Sequence, residues 1–181
     1  MPRAKAKQDK KKKRHYYAEL RIDVKHYPTT MYEILEALFK RSRPMVDLAY
    51  YLVKRARAGG WEDYEWLKVL LEFLKEYSKV YNLGFKPEDV EALLSYYDNL
   101  IEYSNTTRNE KVMERAKALG IDLGTWQRRY HSIIKRLMRA GLIYKKWSHY
   151  GQSKEFLNML RKMEEALIDF YTGKEEGDEW L

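Results

Sequence analysis

Residues 124–154 have the residue types and spacing to bind a polyanion. This block carries eight basic side chains and no acidic one, although acidic residues are common elsewhere in the chain. A cationic surface without carboxylates attracts nucleic acid by releasing the counterions condensed on its phosphates. The block therefore predicts a nucleic-acid interface. Its basic residues are Arg128, Arg129, Lys135, Arg136, Arg139, Lys145, Lys146 and Lys154.

A second basic block lies at residues 1–14, with eight basic side chains and one acidic side chain. Residues 15–123 are nearly balanced, with 16 basic and 18 acidic side chains, and residues 155–181 carry three basic and eight acidic ones. The net charge of +8 thus comes from two separate blocks. We predict a basic, disordered arm over residues 1–16, either a solubilising tail or an arm that follows phosphates. Residues 172–181 are predicted to form an acidic tail in solvent.

Residues suited to catalysis or metal binding do not form a recognisable set. The chain has no cysteine, which excludes disulfides, thiolate nucleophiles and thiolate metal ligands. Its four histidines, His15, His26, His131 and His149, lack metal-ligand spacing. There is no glycine-rich phosphate loop and no nucleophile elbow. We predict no enzyme activity, no metal and no cofactor; a nuclease built from dispersed carboxylates is the alternative.

The composition is that of a globular protein, with 45% hydrophobic and 34% charged residues. No apolar run approaches the roughly 20 residues needed to cross a bilayer. The lysine-rich beginning has no apolar segment behind it, so it is not expected to be a secretion signal. We predict a cytoplasmic protein without membrane contact.

An amphipathic helix over residues 125–140 positions most of the basic block. Thr125 is a suitable N-cap, and Gly141 follows the last periodic residue. At 3.6 residues per turn, one face is apolar and predicted to be buried: Trp126, Tyr130, Ile133, Ile134, Leu137 and Met138. The opposite face presents Gln127, Arg128, His131, Ser132 and Lys135, with Arg129, Arg136 and Arg139 at its flanks.

The segments on either side of this helix complete a recognisable order. A helix capped by Thr106 or Thr107 is predicted to end at Gly120, followed by a turn over residues 121–124. After the amphipathic helix, residues 142–144 are typical of a strand, and KKWSHYGQSK follows with Gly151 as the predicted tip of a hairpin. Trp147 and Tyr150 are predicted to lie in the core; packing at the hairpin base and stacking on a nucleobase are the alternatives.

This order resembles the winged helix-turn-helix family of DNA-binding domains. The resemblance is carried by ALG at 118–120, the capped helix from Thr125 and the phrase IIKRLMRAGLIYKK at 133–146. It implies a DNA-binding domain over residues 105–171 and a final helix that serves dimerisation. Because apolar residues follow helical spacing from Phe156 onward, the second wing strand is expected to be very short or absent. Residues in the first turn of a recognition helix reach the base edges, and those further along contact phosphates. We assign Gln127, Arg128 and His131 to bases, and Lys135, Arg136 and Arg139 to phosphates.

Residues 17–59 form a separate strand-helix-helix pattern. Leu20, Ile22 and Val24 alternate with polar residues, and a helix capped by Thr29 or Thr30 follows, then a second helix over residues 45–57. This order resembles the ribbon-helix-helix family, in which two subunits share the strands. Because carboxylates lie on the outward side of the strand, we favour dimerisation over base reading; pairing within the chain is the alternative.

The predicted fold is mainly α. It is a helical bundle with a C-terminal (winged) helix-turn-helix and one N-terminal strand, which a dimer would share. Central helices are expected within residues 60–104, the first over residues 61–82 and the second from Pro87 to about Ser104. The sequence thus predicts a homodimeric protein that binds double-stranded DNA and regulates transcription. The alternatives are a protein-interaction module, a non-specific nucleic-acid-coating protein and an RNA-binding protein.

Overall fold

A computed structural model describes residue 28, residues 30–40 and residues 42–172 of the chain. The predicted strand at residues 20–24, the basic arm and residues 173–181 of the acidic tail lie outside the described residues. Within the described part the fold is mainly α, which confirms the predicted fold class. The helices are α1 Met31–Leu38, α2 Arg43–Arg57, α3 Trp66–Val80, α4 Pro87–Asn99, α5 Asn105–Ala118, α6 Leu123–Arg139 and α7 Glu155–Thr172. Three strands form one small sheet: β1 Trp61–Glu62, β2 Ile143–Lys146 and β3 His149–Gln152.

The buried apolar side chains form one continuous cluster that reaches from α1 to β3. Helix α3 lies at its centre, because its leucines recur every three or four residues and therefore share one face. Helix α6 packs against α2, α3 and α5 through its own apolar face. Within the described part of the chain, no helix combines the length and apolarity that a membrane-spanning segment requires.

Helix α1 begins with a reciprocal cap. The Thr30 hydroxyl accepts from the Glu33 amide at 3.3 Å, and the Glu33 carboxylate accepts from the Thr30 amide at 3.2 Å. Thr30 is therefore the cap, one of the two threonines that the sequence offered. The helix ends at Leu38, earlier than the MYEILEALFKR pattern suggested, and Lys40 then turns the chain with a φ of 53°.

The helix predicted over residues 61–82 starts later than expected. Trp61 and Glu62 form β1, residues Asp63–Glu65 form a single 3-10 turn, and α3 begins at Trp66. The prediction was wrong here because acidic residues at this point were interpreted as first-turn residues of a helix. Their side chains are instead directed to a hairpin more than 80 residues further along the chain.

The starts of α5 and α6 also differ from the predicted caps. The Ser104 hydroxyl accepts from the Thr107 amide, and the Asp122 carboxylate accepts from the Thr125 amide at 3.1 Å. Each helix therefore begins before the threonine that the sequence pattern favoured as its N-cap. As a result, four residues, 119–122, connect α5 to α6.

Strands β2 and β3 form an antiparallel hairpin in which Lys146 pairs with His149. The turn is therefore made by Trp147 and Ser148. Two predictions were wrong: Gly151 lies inside β3 and not at the tip, and the second strand is as long as the first, at four residues each. The ring of Tyr144 lies over Gly151, where an added Cβ would be 2.8 Å from it, so a larger residue at this position would displace the tyrosine ring.

Strand β1 adds to the other side of β3, so the sheet order is β1-β3-β2. Trp61 pairs with Tyr150, and their rings stack with centroids 5.2 Å apart. The preceding Gly60 has a φ of 79°, and a Cβ there would come within 1.9 Å of the Tyr150 carbonyl oxygen. Only glycine allows the two backbones to approach this closely.

Candidate nucleic-acid interface

Helix α6 is oriented by its apolar face. Five of the six side chains predicted to face inward are buried, and the sixth, Met138, packs against the core while partly exposed. The five are Trp126, Tyr130, Ile133, Ile134 and Leu137. Because this face is fixed in the core, the opposite face must point to solvent.

Three cations form a line along the solvent face of α6. Arg128, Lys135 and Arg139 are exposed, and their spacing of seven and four residues places them on one side of the helix. Ser132 lies beside the line and is partly exposed. At 1.5 Å per residue the line is about 16 Å long. We call these four residues the α6 ridge; it carries no carboxylate, because α6 contains none.

The N-terminal end of the ridge is ordered by short polar contacts. Asp122 caps the helix, and the Arg128 guanidinium donates to the Thr125 hydroxyl at 3.0 Å. Hydrogen bonds from Thr125 lower the pKa of the Asp122 carboxyl, and the nearby Arg128 charge adds to this effect. Arg128 is therefore held near the first turn while remaining exposed.

The polar residues on either side of the ridge contact the protein itself more than the ridge residues do. The guanidinium of Arg129 lies 4.6 Å from the ring centroid of Trp126, and that of Arg136 lies 5.6 Å from the ring centroid of Phe39. Both arginines therefore stack on aromatic side chains of the protein. Gln127 lies on the other flank and is partly buried. The structure thus brings together three of the predicted cations and directs two others along the protein surface.

His131 borders the ridge on the side of the sheet. Its ring contacts the rings of Trp66 and Tyr130, with centroids 5.5 and 5.3 Å away. Burial against these rings lowers the pKa of His131, Asp63 opposes the shift, and Lys135 adds to it. His131 is nevertheless exposed, and the neutral form of its imidazole offers one donor and one acceptor.

The basic residues of the hairpin are not equivalent. The Lys145 ammonium donates to Asp63 at 2.6 Å and lies 5.1 Å from the ring centroid of Tyr150. The hydrogen bond to Asp63 raises the pKa of Lys145. Lys146 and Lys154 are exposed, and no ion pair is formed by either of them within the described residues. The candidate surface outside α6 is therefore carried by Lys146 and Lys154.

Two carboxylates of the β1 segment fasten the hairpin, and we call Glu62 and Asp63 the β1 clasp. Glu62 accepts from the Ser148 hydroxyl at 2.6 Å and lies 3.1 Å from Nδ1 of His149. Asp63 accepts from Lys145 and from the Tyr150 hydroxyl, at 2.6 and 2.8 Å. The Asp63 amide also donates to the Ser148 carbonyl at 2.6 Å. Sequence analysis missed this role, because these acids stand far from the hairpin in the chain.

The clasp gives a pH-dependent contribution to stability. Burial favours the neutral acid of Asp63, but hydrogen bonds from Lys145 and Tyr150 outweigh it, so the pKa of Asp63 falls below its ordinary value of 3.8. A lowered folded pKa adds stability that is present above the unfolded value and is lost as the pH falls through the folded value. We expect Asp63→Asn to lower the free energy of unfolding at pH 7 by up to about 1 kcal/mol, since solvent screens this partly exposed ion pair. Denaturant unfolding at several pH values should show the difference shrinking below pH 3.8; a difference independent of pH would contradict this.

A buried hydrogen bond joins β1 to α6. The Trp61 indole Nε1 donates to the Tyr130 hydroxyl at 2.7 Å, and both side chains are buried. We expect Tyr130→Phe to lower the free energy of unfolding by about 1–3 kcal/mol, because the indole N–H would lose its partner in the core. Chemical denaturation measures this. Tyr64→Phe, at a position 47% exposed, is the matched control and should change nothing; equal stability of both variants would exclude the proposed energetic role.

Trp147 and Tyr150 have opposite surroundings. Tyr150 is buried, which confirms its predicted place in the core. Trp147 is 90% exposed at the hairpin turn, so the core prediction for it was wrong. Trp147 lies in the turn between the two strands, where its φ of 59° is left-handed and it takes no part in the strand pairing.

Helix α7 exposes most of its apolar side chains. Phe156 packs against the core, and its amide donates to the Gly141 carbonyl at 3.1 Å, which joins the start of the helix to the end of α6. Further along, six large apolar side chains have exposed fractions between 41% and 82%. These are Leu157, Leu160, Met163, Leu167, Ile168 and Tyr171.

Comparison with other proteins adds no family to this geometry. No protein-family model, curated protein or solved structure matches the chain. Within the described residues, no group of three or more histidine and acidic side chains is placed to hold a metal ion. The chemistry of the α6 ridge and its neighbours is therefore the basis for a functional assignment.

Proposed function

We propose that the protein binds duplex DNA, with α6 in the major groove. The observation that carries this proposal is the α6 ridge, a line of exposed cations on a helix without carboxylates. An α-helix fits the major groove of B-form DNA, where side chains reach both base edges and phosphates. Exposed surface helices usually mix acidic and basic residues, so a helix with one sign of charge favours a polyanionic partner.

The position of each residue along α6 suggests its role. Arg128 is near the start of the helix and can donate two hydrogen bonds to guanine. Gln127 and the neutral His131 can pair with base edges through one donor and one acceptor. Lys135 and Arg139 lie further along and contact phosphates, which orient the protein without reading sequence. Arg129 and Arg136 reach phosphates from the flank.

The order of elements supports the same proposal. Helices α5 and α6 are joined by a short connection, and the β2–β3 hairpin follows α6 directly. This is the order that the resemblance to winged helix-turn-helix domains implies. Lys146 of the hairpin and Lys154 after it extend the cationic surface beyond α6, whereas Lys145 is neutralised by Asp63.

Equilibrium binding to labelled DNA tests the proposal. We expect the affinity for duplex DNA to fall linearly with salt on a log–log plot, with a slope of about 1 for each phosphate contact. A sequence-specific regulator should also resist excess random duplex and select a defined site from a random duplex pool. Displacement of the protein from its labelled site by excess random duplex would indicate non-specific coating. Tighter binding to single-stranded RNA than to duplex DNA, or no binding to either, would overturn the proposal.

We also propose that the protein acts as a homodimer that pairs through α7. Monomers rarely expose a continuous apolar face of this kind, and such a face normally marks an interaction site. The charges around it favour a second copy as partner. Arg161 and Lys162 precede Met163, and Glu164 and Glu165 follow it.

The order of these charges also indicates the direction of pairing. At 100° per residue, Lys162 and Glu165 lie away from the apolar face, whereas Arg161 borders it and Glu164 lies within it. In an antiparallel pair that crosses at Met163, Arg161 of one subunit therefore lies close to Glu164 of the other. Parallel pairing would place like charges together, which is unfavourable. A two-fold pair of this kind relates two α6 ridges by symmetry, so the selected DNA site is expected to be palindromic. Such a dimer suits a transcriptional regulator.

A further inference from the structure

Trp147 combines two features that are unfavourable in a folded protein. It is 90% exposed, and its φ of 59° lies in the left-handed region, which glycine and asparagine tolerate far better. Trp61 and Trp126, in contrast, are buried in the core. The turn requires a left-handed residue, but nothing in the fold requires that residue to be tryptophan. A strained backbone at an exposed bulky side chain indicates that the side chain serves an interaction with another molecule and not the stability of the fold.

The residues around Trp147 are held by contacts that do not involve its side chain. On one side, Lys145 is bound to Asp63. On the other side, the hydroxyl and carbonyl of Ser148 are bound to Glu62 and to the Asp63 amide. The β1 clasp therefore fixes the backbone of the turn, from which the indole projects into solvent. A contact made from a pre-ordered backbone loses less conformational entropy than one made from a mobile loop.

The surroundings favour nucleic acid as the partner of this side chain. Lys146 is exposed next to it, while both carboxylates of the clasp already accept hydrogen bonds within the protein. The β1 segment also connects the hairpin to α6, because the Trp61 indole donates to the Tyr130 hydroxyl of that helix. A flat apolar ring can stack on a nucleobase while the neighbouring cation contacts the phosphate of the same nucleotide.

We propose that Trp147 is a base-stacking residue that enters the minor groove beside the α6 contact and unstacks a base step. This inference rests on the proposed DNA binding and names a further contact for it. Apolar side chains inserted in this way kink DNA by about 20–90°. Trp147 would therefore contribute affinity and a bend, but no dependence on salt.

Duplex binding and bending by four variants test the inference. Trp147→Ala is expected to weaken binding about 5- to 150-fold, the range that one base stacked on an aromatic side chain contributes in single-strand complexes, with an unchanged salt slope. Trp147→Phe should retain most of the affinity. The neighbouring control, Lys146→Ala, should instead lower the salt slope by about 1. Energy transfer between dyes at the two duplex ends should report a bend with the wild type and a straighter duplex with Trp147→Ala.

Trp147→Gly separates this contact from a structural role. Glycine suits the left-handed turn, so this variant should melt at the same temperature as the wild type or higher, yet bind as weakly as Trp147→Ala. If the wild type binds and bends duplex DNA and both variants do so equally well, the inference is overturned while the proposed function stands. If the wild type binds no duplex, both are overturned. If Trp147→Ala weakens the dimer seen by sedimentation but leaves DNA binding unchanged, Trp147 belongs to a protein interface. The inference is then also wrong.

Discussion

Reversing the charges of Lys135 and Arg139 together is expected to weaken duplex binding by about 100-fold and to lower the salt slope by about 2, since each residue neutralises one phosphate. The loss should be similar for specific and random sequences, because phosphate contacts position the protein without reading bases. Both side chains are exposed, so Lys135→Glu/Arg139→Glu should keep the stability of the wild type. Fluorescence anisotropy across a series of salt concentrations measures affinity and slope together.

The matched control reverses two exposed lysines that lie outside α6. Lys79→Glu/Lys86→Glu makes the same change in net charge, but these residues lie on α3 and at the cap of α4. If binding depended on overall charge alone, both double variants would lose affinity equally. Equal losses would show that the α6 ridge is not the surface that binds DNA. Arg128→Glu should differ from both, because it is expected to change sequence preference as well as affinity.

Placing carboxylates at Leu160 and Leu167 of α7 is expected to dissociate the proposed dimer. Both side chains are exposed in the single chain, at 41% and 56%, so Leu160→Glu/Leu167→Glu should fold normally. In a paired α7 the new carboxylates would be buried against apolar side chains, which should raise the dimer dissociation constant by about 100-fold or more. Sedimentation velocity should then show a species of 21.9 kDa in place of one twice as large.

Charge exchange along α7 tests the antiparallel direction. Arg161→Glu places a second carboxylate beside Glu164 of the other copy and should weaken the dimer. Adding Glu164→Arg to the same chain restores opposite charges across the pair and should recover it. A parallel pair would show no such recovery, because each residue would face its own copy. A wild-type protein that remains monomeric at high concentration would exclude the dimer itself.

The buried face of α6 could be predicted from sequence because it depends on a local rule. Apolar side chains repeat at the helical period, and a helix with this pattern buries that face in nearly any fold. The exposure of Arg128, Lys135 and Arg139 follows from the same rule. The helix starts were less predictable, because Asp122 and Thr125 can both cap a helix and the sequence pattern does not decide between them.

The hairpin could not be predicted to the same degree because its geometry depends on distant residues. Lys145 counts as a cation in any local tally of charge, yet Asp63, 82 positions earlier, neutralises it. Strand β1 has two residues, which is too short for an alternating pattern. Trp147 was assigned to the core because large apolar residues are usually buried. Its place at a left-handed turn overrides that tendency.

The link between Trp61 and α6 has a consequence for how the protein can be divided. Helices α5 and α6 and the β2–β3 hairpin occupy residues 105–152, but the indole that completes their core comes from a segment that precedes α3 and α4. A fragment excised from residue 105 onward would lack the third strand and both carboxylates that secure the turn, and would expose the aromatic surface of Tyr130 and Tyr150. The part proposed to contact DNA is therefore not an autonomous module: grafting it onto another protein requires the upstream strand to be transplanted with it.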